Sequence, residues 1–142
     1  MGDVDEAVRI GLQLGAAAVL ALMMTIIHGG GLIGIFKILH LNTHRLENRA
    51  FDFGAYVLMG TVGMLVFALH VVEIWVFAGF YLMVGAIEQM EQAFYYSAAV
   101  YATLGRTVEY FPSEWRLLGA LEALIGFLLI GWSTAFMVST MN

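Results

Sequence analysis

Four ionisable side chains stand inside stretches that are otherwise almost free of charge: His28, His70, Glu73 and Glu122. His70 and Glu73 are three residues apart, so on a helix they share one face. An imidazole titrates near neutral pH and is the commonest metal ligand, while a carboxylate brings negative charge and two acceptor oxygens. With Glu122 as a second carboxylate, the set could cluster and serve one of three chemistries. These are a polar clamp between helices, a proton or cation relay, and a metal site of nitrogen and oxygen donors. Di-iron helical bundles use Glu-x-x-His pairs, whereas here the order is His-x-x-Glu and it occurs once. His28 stands beside Gly29-Gly30-Gly31, where packing and functional roles are both open. The chain has no cysteine, which excludes thiolate chemistry and disulfides. Nothing resembles a nucleophile or a substrate-binding site, so no enzymatic activity, resident metal or organic cofactor is expected.

The elements that must hold these residues are membrane helices. The 142 residues are 61% hydrophobic and 12% charged, with mean hydropathy +0.86, against about 25% charged for a soluble domain. No charge falls between Arg9 and Lys37 or between Asp52 and Glu73, and only Glu122 interrupts the run from Leu117 onward. Three windows therefore reach the length of about 20 apolar residues needed to span, near 8–36, 53–84 and 115–139. The first is too long for the apolar core of a signal peptide and is expected to remain in the mature protein. Gly11-x-x-x-Gly15 and Gly30-x-x-x-Gly34 give it small residues at the spacing that lets helix backbones approach, and the triple glycine is a candidate kink. Residues 37–52 are polar, lack Pro and Gly, and read as a helical extension.

Lys37, Arg45 and Arg49 on one side balance Arg9, Arg106 and Arg116 on the other, so basic residues alone leave the orientation tied. A net charge of −5 with six Lys and Arg provides no surface for nucleic acid.

Between the second and third windows, residues 88–114 are too apolar for an ordinary loop and too short to cross. The stretch Ala93 to Ala102 carries Phe94, Tyr95, Tyr96 and Tyr101, and ten helical residues rise about 15 Å, half a bilayer core. The segment reads as a re-entrant hairpin, since irregular backbone at membrane depth must be buried in protein or line water. A short amphipathic hairpin lying on the membrane surface is the alternative.

Thr103-Leu104-Gly105, followed after six residues by Pro112-Ser113-Glu114-Trp115-Arg116-Leu117-Leu118-Gly119-Ala120-Leu121-Glu122-Ala123, resembles the pore helix, filter and inner helix of small prokaryotic potassium-channel-like proteins. The resemblance runs from about Leu69 to Phe136. It implies an all-α membrane protein with three transmembrane helices and a re-entrant pore helix and filter-like loop between the second and third. Residues 1–52 would form an N-terminal helix and polar loop. Residues 53–142 would form the pore module, with outer helix 53–84, pore helix 91–102, filter-like loop 103–108 and inner helix 115–139.

Thr103, Leu104 and Gly105 match the first half of that family's filter, whereas Arg106 stands in place of its aromatic residue, Thr107 in place of its second Gly, and Val108 in place of its Asp. A β-branched residue is penalised at positive φ, so the outer coordination sites should be distorted. Four Arg106 side chains around one axis would oppose cations. Gly126 is the central candidate for an inner-helix hinge.

The expectation is a homotetrameric pore of weak or altered selectivity in a prokaryotic inner membrane, with a monovalent cation such as potassium as its ligand. The N-terminus would lie outside and the C-terminus inside. The alternative is a non-conducting structural subunit that partners unrelated membrane proteins.

Overall fold

The computed structural model describes residues 2–43, 53–104 and 111–141. Among them every regular element is helical: α1 (Gly2–Thr43), α2 (Phe53–Met83), α3 (Met90–Tyr101) and α4 (Arg116–Met141), the last entered through a 3₁₀ turn at Ser113–Trp115. The segments Val4–Leu39, Tyr56–Met83 and Ser113–Thr140 are long and apolar enough to cross a membrane, with hydropathies of 2.2, 2.1 and 1.8. Their outward faces carry exposed Phe67, Phe127 and Leu128, which costs nothing where the surrounding medium is itself apolar.

The expected limits hold to within a few residues for α2, α3 and α4, while α1 is much longer than the window at 8–36. The polar stretch after residue 36 offers no Gly or Pro to stop it, and the helix runs on to Thr43. At its other end Asp3, Asp5 and Glu6 suit the positive end of the helix dipole. Its 42 residues span about 63 Å, roughly twice the hydrocarbon core. The helix is continuous through Gly29-Gly30-Gly31.

Two tight stops shape the region after α2. Gly85 sits at φ 68, with its N–H on the Leu82 carbonyl and the Ala86 N–H on the Tyr81 carbonyl. That is a Schellman cap with glycine in the left-handed position where it carries no Cβ penalty. The same motif ends α3. Thr103 takes φ 58, its N–H bonds the Val100 carbonyl, and the Leu104 N–H bonds the Ala99 carbonyl. Here a β-branched residue occupies the left-handed position, a conformation that costs on the order of 1–3 kcal/mol and is held by its surroundings.

α1 and α3 each pack against both α2 and α4, which touch each other little. The Gln13 side-chain oxygen accepts the Leu118 N–H, and further along His28 meets Ser133, so α1 and α4 run parallel with a constant offset of 105 residues. α2 runs antiparallel to α1, placing Leu69 beside Gly31 and Glu73 beside His28. Two apolar clusters result. The larger joins Met24, Phe77, Tyr81, Tyr96, Tyr101 and Leu118, and the smaller joins Leu32, Ile35, Val62 and Val66.

An aromatic knot fastens α3 to its neighbours. Tyr96 stacks on Phe111 at 3.8 Å with the rings 6° from parallel, and Tyr81 meets both rings edge-on. Tyr96 and Tyr101 are buried among the other helices, unlike the aromatic face of a hairpin lying on a surface.

Glycine marks the closest approaches. A Cβ at Gly126 would lie 2.7 Å from the Tyr101 carbonyl oxygen and 2.9 Å from its ring, whereas one at Gly131 would meet nothing within 4 Å. The candidate hinge at Gly126 is thus the point where α3 rests on α4. Gly126→Ala should destabilise the protein by about 1–3 kcal/mol through overpacking, with Gly131→Ala neutral or slightly stabilising. Thermal unfolding in detergent reads the difference.

Candidate functional site

Between the two apolar clusters lies a polar one drawn from all four helices. α1 supplies His28, α2 supplies His70 and Glu73, α3 supplies Tyr101, and α4 supplies Ser133. His28, Glu73 and Ser133 are buried, and His70 is 15% exposed. The periodicity of each helix explains the convergence. His28 continues the buried stripe of Leu20, Met24, Leu32 and Ile35, and Glu73 that of Val62, Val66 and Phe77.

Glu73 is the hub. Its Oε1 lies 2.8 Å from His28 Nδ1, and its Oε2 lies 2.5 Å from the Tyr101 hydroxyl and 3.1 Å from His70 Nδ1. His70 Nδ1 is also 2.8 Å from that hydroxyl. On the far side of the rings, Ser133 Oγ stands 3.3 Å from His28 Nε2 and 3.1 Å from His70 Nε2. Trp132 covers His28 with ring centroids 5.2 Å apart. No buried side-chain nitrogen or oxygen among the described residues lacks a partner.

The hydrogens can be placed in two ways. With His70 Nδ1 as a donor, five links hold the cluster and need one hydrogen more than the four carried by two neutral imidazoles, one phenol and one serine hydroxyl. With the Tyr101 hydroxyl shared between Glu73 and His70 Nδ1, the four suffice. A cation is therefore accommodated beside Glu73 and not required by the hydrogen bonds.

Glu122 belongs to a second site and does not join His70 and Glu73. Its Oε2 accepts from the Tyr81 hydroxyl at 2.6 Å, and its Oε1 lies 2.5 Å from Ser97 Oγ, which is also 3.1 Å from the Ile74 carbonyl. Ser97 donates to Glu122 and shares that hydrogen with the more distant Ile74 carbonyl. The two carboxyls differ in their partners: Glu73 has imidazoles and a phenol beside it, and Glu122 has only hydroxyls.

Compared with family models, curated proteins and solved structures, the chain matches none. The site must be read from its own geometry.

The filter-like residues divide. Thr103 and Leu104 follow α3 directly, two and three residues beyond Tyr101, and Leu104 is 72% exposed. Gly105, Arg106, Thr107 and Val108 lie outside the described residues. Sequence reasoning missed Tyr101 and Ser133 as members of the cluster. Tyr101 was readable only as one aromatic in a run of them, and Ser133 carries no charge to mark it. A cleft of about 810 Å³, lined in part by Glu6, Arg9, Gln13, Glu114 and Arg116, descends from the start of α4 to Val100, next to this site.

The two carboxyls should respond differently to amide substitution. Glu122→Gln can accept from Tyr81 and donate to Ser97 once the Ser97 hydrogen turns to the Ile74 carbonyl, so it should cost at most about 1.7 kcal/mol, the upper end for membrane hydrogen bonds. Glu73→Gln faces donors at both oxygens with an NH₂ group and removes the counter-charge, so it should cost about 3 kcal/mol. Unfolding of the two variants in detergent, followed by circular dichroism, measures the gap.

Proposed function

We propose that the chain is a pore-loop membrane protein of potassium-channel-like architecture, assembling as a homotetramer and passing monovalent cations with weak selectivity. α3 is its re-entrant pore helix, residues 103–108 its filter-like loop and α4 its inner helix. One observation carries the reading. Tyr101, the last residue of α3, bonds Glu73, which stands ten residues before the end of α2, or about 15 Å along the helix axis. That depth is half a hydrocarbon core of about 30 Å.

Beyond Tyr101 the chain leaves the helix, and Ala102, Thr103 and Leu104 are exposed on the single chain. Non-helical backbone at that depth is tolerated only where protein or water covers it. Further copies around a watery axis would supply both. The reading carries with it the expected orientation, with both ends of the α3 hairpin outside, the C-terminus inside and the protein in a prokaryotic inner membrane.

A second reading, a non-conducting subunit of a membrane complex, is favoured by the cap at Thr103. The carbonyls of Ala98, Ala99 and Val100 each accept a backbone N–H, and carbonyls committed in that way are withdrawn from an ion.

Potassium and sodium flux into liposomes separates the two. Wild-type protein should pass both ions with little discrimination. The variant Arg106→Tyr/Thr107→Gly/Val108→Asp should gain preference for potassium. Silence from both proteins while folded and tetrameric supports the structural subunit, and a monomer by native mass spectrometry ends the axial-pore reading.

A further inference from the structure

Each ring of the Glu73 cluster aims one nitrogen at the carboxylate and the other at Ser133, and this arrangement suits a metal ion. We propose that His28, His70 and Glu73, with Tyr101 as fourth donor, bind one divalent first-row transition ion within a single chain, zinc fitting best. One donor atom from each of the two histidines and the glutamate lies within 4.8 Å of the others.

Ser133 can support on both rings the tautomer that a metal needs. A serine oxygen has two lone pairs and can accept from both Nε2–H groups at once, and it lies within reach of both. The two Nδ1 atoms then present lone pairs to the oxygens of Glu73, an arrangement that is repulsive unless a cation stands between them. Ligating histidines commonly donate their second N–H to a nearby acceptor, which fixes ring orientation and basicity. Here one hydroxyl would perform that service for both rings.

The donor set selects the ion. Two imidazoles and a carboxylate are the three protein ligands of a familiar open zinc site, and imidazole equally suits iron, nickel and copper. Magnesium and calcium prefer sites built of oxygen. Zinc bonds of about 2.0–2.1 Å in tetrahedral geometry separate neighbouring ligands by roughly 3.3 Å; His28 Nδ1 stands 2.8 Å from Glu73 Oε1 and His70 Nδ1 3.1 Å from Oε2, so whichever oxygen ligates lies within half an ångström of that spacing from one ring. The ion would also answer the negative charge of the buried Glu73 carboxylate. His70 is the partly exposed ligand, so the ion arrives on its side, beside the end of α3. The site lies inside one chain and needs no tetramer, so it stands or falls separately from the pore.

The test uses the full chain in detergent, stripped with chelator and then titrated with Zn²⁺, or with Co²⁺ as a spectroscopic probe. One ion per chain is expected, with visible cobalt bands of four-coordinate geometry and a higher melting temperature under zinc. Ser133→Ala should weaken binding about 10–100-fold, and His28→Gln and His70→Gln should lose it. His40→Ala/His44→Ala should leave stoichiometry unchanged. If His28→Gln does not fold, the Ser133→Ala shift and the cobalt spectrum of the parent chain carry the decision. Less than a tenth of an ion per chain, binding that follows His40 and His44, or a melting temperature indifferent to zinc would overturn the proposal.

Discussion

Each of α1 to α4 is tied, directly or through one further side chain, to the carboxylate of Glu73. It takes His28 from α1, His70 from its own helix and Tyr101 from α3, and the two rings carry the linkage on to Ser133 of α4. In lipid there is little hydrophobic force between helices, so positions must be set by packing and by polar contacts such as these. A buried carboxylate is tolerated only when its charge is answered. That requirement makes the cluster an all-or-none feature: each partner is held in place because the others are.

The aromatic knot and the glycine contacts do the remaining work of placing α3. Tyr96 on Phe111, with Tyr81 across both, secures the outer part of that helix, and Gly126 lets the Tyr101 backbone come close to α4. The inner end is then fixed by two polar anchors one helical turn apart, Ser97 to Glu122 and Tyr101 to Glu73. A twelve-residue helix has too few internal hydrogen bonds to be stable in isolation. It persists here because it packs against both α2 and α4.

Much of this architecture was legible in the sequence because hydropathy and charge are one-dimensional signals. The limits of α2 and α4 follow from charge-free runs, and the stop at Gly85 follows from glycine's freedom at positive φ. The pairing of His70 with Glu73 follows from helical spacing. The partners from other helices do not. His28 is 45 residues from Glu73 and Ser133 is 105 from His28, and only the three-dimensional register of α1 against α2 and α4 brings them together. Glu122 shows the opposite failure: two buried carboxylates suggest one site by composition, yet they share no partner, Glu122 bonding Tyr81 and Ser97 while Glu73 bonds His28, His70 and Tyr101. Thr103 reads by resemblance as part of a filter-like loop, and nothing in its type announces a helix cap in the left-handed region.

The parallel register of α1 and α4 has a mechanical meaning. The two helices are pinned at Gln13 to Leu118 and again at His28 to Ser133, fifteen residues apart on both, which is about 22 Å of shared axis. Two parallel rods joined at two well-separated points can neither slide past one another nor turn independently without breaking a joint. The first helix therefore acts as a splint along α4, and a bend in α4 at Gly126, which falls between the two joints, would have to bend the splint with it.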